Sequence, residues 1–376
     1  MPGPAPSLSE NSAFAASSLP PDLVRGLSQK HLPGLDGIRA IAVSLVILYH
    51  SGLPMPGGTG VLLFFVLSGF LITWLLLEEA AGTGTISLRN FYARRALRIL
   101  PAFYVYAIVV VGQAMVRHRP VNYPQLTAAL LYFNNYFQGI LGDPNTGLSH
   151  TWSLAVEEQF YFLWPALFLL FWRKPARMAR ILTGSIVAVW IYRVILVFVF
   201  HANQGYLYEA FDTRADSLMI GCLLAVLLHE GFAAQLFSVA CSHRWTVLIT
   251  LSFFVVSTLA ESRSGFDYRD LIGFAVNGTL AFFVIAQVLP KRESPGLLNW
   301  EPIRYLGRIS YPMYLWQQLV VPVVDKALAG AAPAIRIAGG FAAVVAVASL
   351  SWFCVEKPIL KLKKRFSAIP PTRTVS

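Results

Sequence analysis

LDGIRAIAVSLVILYHS, residues 35–51, is an apolar run short of aromatics and interrupted by two groups that hydrocarbon rejects, Arg39 and His50. At about 100° per residue, their separation amounts to three helical turns plus roughly 20°. A helix here carries both side chains on one face, roughly 16 Å apart along its axis. Within a membrane such groups face a polar cavity and are functional candidates. The stretch predicts a spanning helix that lines a polar conduit, with a cation near one mouth and a titratable imidazole deep inside.

The rest of the chain supplies the bilayer setting. Of its 376 residues 56% are hydrophobic and only 13% charged, and the mean hydropathy is +0.58, far from an ordinary soluble domain. Apolar stretches near the spanning length recur, so the expected fold is all-α, a polytopic membrane helix bundle. The weak alternating pattern of a β-barrel is not seen. The net charge of +11 does not point to nucleic acid, because the basic residues sit between apolar segments, where the positive-inside rule places them. Cys222, Cys241 and Cys354 are isolated, so neither a disulfide framework nor a zinc site is expected.

Three parts are expected: a flexible cytoplasmic tail over 1–31, rich in Pro, Ser and Ala; a membrane domain over 32–356; and a basic cytoplasmic tail over 357–376. About ten spans fit the length criterion, at 35–53, 61–77, 99–116, 152–172, 181–200, 217–229, 245–260, 271–289, 309–324 and 335–354. With both termini cytoplasmic, the inner segments hold Arg25, Lys30, Arg89, Arg94, Arg95 and Arg98, then Arg173, Lys174, Arg177, Arg180 and Arg244. They continue with Lys291, Arg292, Arg304 and Arg308, and with Lys357, Lys361, Lys363, Lys364, Arg365 and Arg373. Outside fall Arg117, Arg119, Arg214, Arg263, Arg269, Lys326 and Arg336. The bias is about three to one in the expected direction. The apolar segment 126–141 would invert every later loop if it spanned; it is short and carries Asn134, Asn135 and Gln138. It is expected as a re-entrant or interfacial element, which must line protein or a water-filled cavity.

Four clusters carry the candidate chemistry. Arg39 can snorkel to the cytoplasmic surface, but His50, late in its span, cannot be explained that way. A neutral imidazole there is a candidate general base. Arg94 and Arg98 share a helical face with Arg95 beside them; they suit phosphate, and they equally suit plain topology charge. In HTWSLAVEEQFY, Ser153, Glu157 and Tyr161 lie on one face while Glu158 points about 100° away. Glu157 there can orient His50, stabilise its imidazolium or hold a hydroxyl substrate; helix-dipole capping is the plainer alternative. The charges of FDTRADS read as a structural ion pair, and the aromatics around Tyr311, Tyr314 and Trp316 as interfacial anchors. No HExxH, P-loop or GxSxG elbow occurs, so chemistry must come from groups within the bundle.

Taken in order, LDGIRAIAVSLVILYH, FFVLSGFLIT, FYARRALRILPAFY, HTWSLAVEEQFYFLWP, FDTRADSLMIGCLLA and ISYPMYLW resemble membrane acyltransferase family 3, the O-acyltransferases that decorate bacterial polysaccharides and other glycans. The likeness runs over roughly residues 32–357. It implies a bacterial inner-membrane enzyme with cytoplasmic acyl-CoA, expected to be acetyl-CoA, as donor, a glycan or glycosylated small-molecule acceptor, and no metal. It places the family's Arg-x10-His motif on Arg39 and His50, its contacts for the CoA phosphates on Arg94, Arg95 and Arg98, and its Ser-Leu-x-x-Glu stretch on Ser153, Leu154 and Glu157. Catalysis is thus expected of His50, Arg39 and Glu157, by direct attack of the acceptor or through an acyl-His50 intermediate. Many relatives place His where this chain has Gln317, and an amide cannot relay protons as imidazole does. Some also carry an SGNH-type domain after the last span; without it, transfer falls to this chain alone or with a partner. The rival classes are a proton-coupled transporter or flippase, for which no internal repeat is apparent, and a non-catalytic scaffold.

Overall fold

The computed structural model describes residues 19–29, 31–242, 244–290 and 296–366. It is 83% helical with no strand among the described residues, as backbone in hydrocarbon requires. In chain order the first helices are α1 (Pro21–Leu27), α2 (Pro33–His50), α3 (Gly57–Thr83) and α4 (Leu88–Val116). Two short helices, α5 (Tyr123–Leu130) and α6 (Asn134–Leu141), precede α7 (Thr151–Phe171) and α8 (Pro175–Phe198). Then come α9 (Gln204–Glu209), α10 (Phe211–His229), α11 (Ala234–Ser242) and α12 (Arg244–Tyr268), which runs through a π-turn at Arg269–Gly273 into α13 (Phe274–Val288). The chain continues with α14 (Glu301–Arg308), α15 (Ser310–Ala327), α16 (Pro333–Ser351) and α17 (Lys357–Leu360).

Among the described residues six helices are long and apolar enough to cross a membrane, and seven if Gln204–His229 and Ala234–Cys241, bent by 102°, form one broken span. The protein is therefore a multi-pass membrane protein, but the expected figure of about ten spans is not reproduced. The 18-residue helices α2 and α15 fall outside the count. Their polar residues, among them Asp36, Arg39, His50, Tyr314 and Gln317, dilute the apolar content of each. Of these two site-bearing helices α2 packs directly on the most buried of the six, and α15 packs on α2.

That buried helix is α3, with 72% of its apolar window inside the protein, against 28% for α4 and 22% for α8. It forms the middle of the bundle, while α4, α8 and α16 carry exposed apolar side chains such as Ile108, Ile191 and Leu350. The contact of α3 with α10 is set by two glycines: a Cβ at Gly69 would run into the Leu218 carbonyl, and one at Gly221 into the Val66 carbonyl. Small residues let backbones approach where lipid offers no hydrophobic drive. Cys222 packs here too, its thiol 3.5 Å from the Gly69 carbonyl oxygen, and no disulfide joins the three cysteines.

The segment 126–141 does not span: α5 and α6 have eight residues each, about 12 Å of helix, and Tyr132 between them has φ 57°. The polar side chains that marked it face inward. Asn134 donates to the Leu148 carbonyl (3.0 Å) and to Thr151 Oγ1 (2.8 Å), Asn135 to Gln159 Oε1 (3.2 Å), and Gln138 to the Ser149 carbonyl (2.9 Å). They clamp the entry of α7.

Two expectations need revision. The tail expected over 1–31 includes α1, a packed helix whose Leu23 is buried, because PDLVRGL places apolar residues on one face. The span expected from 99 begins earlier: Arg94, Arg95 and Arg98 lie in the first turns of α4, capped by Ser87, whose hydroxyl accepts from the Asn90 amide at 3.3 Å. Residues 1–18 and 367–376, and the basic residues Lys30, Lys291, Arg292 and Arg373, lie outside the described residues.

Candidate active site

Arg39 and His50 both face polar space, as their spacing requires, but not the same space. Arg39 lines a chamber of about 90 Å³ together with Arg95, Arg98, Ser68, Glu157 and Tyr161. His50 lines a larger one of about 460 Å³, together with His150, Trp152, Tyr208, Glu261 and Arg269. The two chambers share Val61 of α3 and Tyr314 of α15 in their walls. The single conduit expected from α2 is thus two compartments with a partition. Its physical cause is the buried phenol of Tyr314, which needs partners. It donates to the His150 carbonyl oxygen (2.9 Å) and pairs with the Ser153 hydroxyl (2.5 Å).

The guanidinium chamber is built by five helices: α2 gives Arg39, α15 gives Tyr311 and Tyr314, and α3, α4 and α7 supply the rest. From α4, Arg95 stacks over the Tyr161 ring, its guanidinium carbon 4.3 Å from the ring centroid. From α7, Ser153, Glu157 and Tyr161 line one wall, the face that helical spacing predicts, while Glu158 is not part of it. From α3, Ser68 donates to Glu157 Oε1 at 2.7 Å. Three guanidiniums face one carboxylate, so the chamber suits a ligand with several anionic oxygens. Arg94 does not join them. Burial of Glu79 demands a cation, and Arg94 supplies it at 2.7 Å while also donating to the Phe366 carbonyl. Arg39, read from sequence as catalytic, takes its place among the cations.

In the imidazole chamber, His50 Nδ1 lies 2.8 Å from the Val46 carbonyl oxygen. A carbonyl only accepts, so Nδ1 carries the hydrogen and the Nε2 lone pair is free to accept a proton. Glu157 lines the other chamber and bonds Ser68, so it does not orient His50. His150 packs edge-on to Tyr106, ring centroids 5.5 Å apart, and 5.3 Å from Tyr314. His150 opens HTWSLAVEEQFY, and only the fold brings it into the chamber of His50. Ser68 is marked in the sequence as a polar group within an apolar span, whereas Tyr208 and Glu261 lie outside the expected spans and carry no such signal.

The charges of FDTRADS divide differently from expectation. Asp216 pairs with Arg193 of α8 at 2.7 Å, both fully buried, and Asp212 accepts hydrogen bonds from Tyr136, Tyr192 and Tyr206. Arg214 has no ion-pair partner among the described residues. It lies 3.7 Å from the Phe274 ring centroid, within an aromatic cage that includes Trp152 and Tyr208. It underlies two rings of the imidazole chamber wall. Gln317, where many relatives carry His, is buried, with neither amide atom hydrogen-bonded.

The profile of the acyltransferase domain family matches residues 32–354. The chain is 32% identical over 356 residues to the peptidoglycan O-acetyltransferase OatA of Listeria monocytogenes, covering 89% of this chain and 56% of that protein. It is 31% identical over 377 residues to the O-acetyltransferase OatA of Staphylococcus aureus, covering 92% of this chain and 60% of that protein. It thus spans under two thirds of the length of these curated relatives. No solved structure matches it. With a profile match over nearly the whole helical bundle, the chain belongs to the acyltransferase family.

Proposed function

We propose that the protein is a membrane O-acyltransferase that moves an acetyl group from acetyl-CoA to a hydroxyl of a cell-envelope glycan, with peptidoglycan as the acceptor suggested by the relatives' names. One observation carries the reading: a cation-lined chamber and an imidazole-lined chamber meet at a partition made by Tyr314 and Val61. Arg39, Arg95 and Arg98 hold the anionic end of the donor, and the thioester lies at the partition. In the other chamber His50 Nε2 takes the proton of the acceptor hydroxyl. The oxygen attacks the thioester carbonyl, the C–S bond breaks, and the departing thiolate takes a proton back from the His50 imidazolium. The direct route is favoured over an acyl-His50 intermediate because His50 lines the acceptor side. Membrane orientation follows from charge, with the arginine end and both termini in the cytoplasm.

The test uses purified full-length protein, labelled acetyl-CoA and a peptidoglycan oligosaccharide. Wild type should release CoA thiol in step with label entering the glycan, which a transporter would not do. His50→Ala should lose this activity by at least about 100-fold with unchanged expression and apparent Tm. Full activity in that variant removes the proposed base.

A further inference from the structure

A second concavity opens beside the imidazole chamber. It is about 740 Å³ and is lined by Arg117 and Arg119 just past α4, by Asn145 and Thr146 before α7, and by Gln318 and Lys326 of α15. An adjoining hollow of about 320 Å³ shares Arg117, Arg119, Asn145 and Thr146. Gln318 also lines the His50 chamber, so groove and chamber share a wall.

The charge of this groove is one-sided. No acidic residue lines it; of the two acids beside it, Asp325 accepts from Arg336 Nε at 2.7 Å, and Asp143 accepts from the Asn145 amide at 2.8 Å and from the Ser149 hydroxyl at 2.6 Å. Arg117, Arg119 and Lys326 are exposed and have no ion pair among the described residues. On the orientation proposed above they lie on the side where Lys and Arg are depleted, so topology charge does not account for three of them around one concavity. Guanidiniums and an ammonium flanked by amide groups match an anionic sugar chain: cations for its carboxylates or phosphates, Gln113, Asn145 and Gln318 for its hydroxyls.

We propose that this groove binds the anionic groups of the glycan acceptor and leads the chain toward His50. This rests on the reading of the protein as a glycan acyltransferase and adds that the acceptor is negatively charged.

Binding is measured without acyl donor, on the full chain in nanodiscs of neutral phosphatidylcholine, by fluorescence anisotropy of end-labelled glycans. The probes are a peptide-free peptidoglycan tetrasaccharide with free lactyl carboxylates and chitotetraose, which lacks them. Wild type should bind the carboxylated chain roughly tenfold more tightly, about one charge-assisted contact. High salt should erase the preference. The variant R117Q/R119Q/K326Q should lose it with chitotetraose affinity unchanged. Equal affinity in wild type, no binding of either probe, or a preference that survives in the variant would overturn the proposal. So would an effect of the three substitutions that appears only when phosphatidylglycerol is added, since the cations would then be holding lipid headgroups. If the wild-type protein transferred no acetyl group, the proposed reaction would fall while this comparison still decided the groove.

Discussion

Arg94 and Arg95 are neighbours in one basic motif, yet the structure gives them different surroundings, and the pair can be separated experimentally. Arg95 faces the small chamber, held by Tyr161, and is available to an anionic donor group. Arg95→Ala removes a charge-assisted hydrogen bond of about 1.5–3 kcal/mol, a rise of about 10- to 150-fold in the KM for acetyl-CoA. Glu157 keeps Arg39, Arg98 and the Ser68 hydroxyl in the same chamber, so the apparent Tm should fall less than for Arg94→Ala. Arg94 pairs with Glu79, whose side chain is 5% exposed. Arg94→Ala strands that carboxylate and should cost about 3 kcal/mol, the low end for breaking a buried pair, because the Arg94 side chain is itself 17% exposed. Its KM should stay within about twofold of wild type. The assays are acetyl-CoA titration with thiol release and thermal unfolding in one detergent. Adding Glu79→Gln to Arg94→Ala should restore part of the lost stability, the expected coupling of contacting residues. A rise in KM for Arg94→Ala equal to that for Arg95→Ala, with Tm unchanged, would refute the assignment.

Tyr314→Ala should open the partition between the chambers, so acceptor-independent hydrolysis of acetyl-CoA should rise several-fold as water reaches the thioester; unchanged background hydrolysis would show that Tyr314 separates nothing. Gly69→Ala places a Cβ against the Leu218 carbonyl and should destabilise by about 1–3 kcal/mol, read as lower apparent Tm and yield. Gly112→Ala, which meets open space, is its neutral control.

The two site helices were legible in part and for a definite reason. An interval of eleven residues fixes Arg39 and His50 on one helical face whatever packs around them, and a four-residue step does the same for Ser153, Glu157 and Tyr161. The inward role of Asn134, Asn135 and Gln138 could be anticipated because amides inside an apolar segment need partners. The count of about ten spans is not confirmed, since polar residues keep α2 and α15, both expected as spans, outside the six helices that pass by length and hydropathy.

Local periodicity thus determined a helical membrane protein, its first polar face and its basic helix start. Only the tertiary structure decided that Tyr314 stands in the walls of both chambers, that Arg39 joins Arg95 and Arg98 while Arg94 turns to Glu79, and that Glu157 lines a different chamber from His50. Helical spacing sets the direction in which a side chain leaves its own helix. Which partner it meets depends on the neighbouring helices, and those are brought together by contacts between residues far apart in the chain.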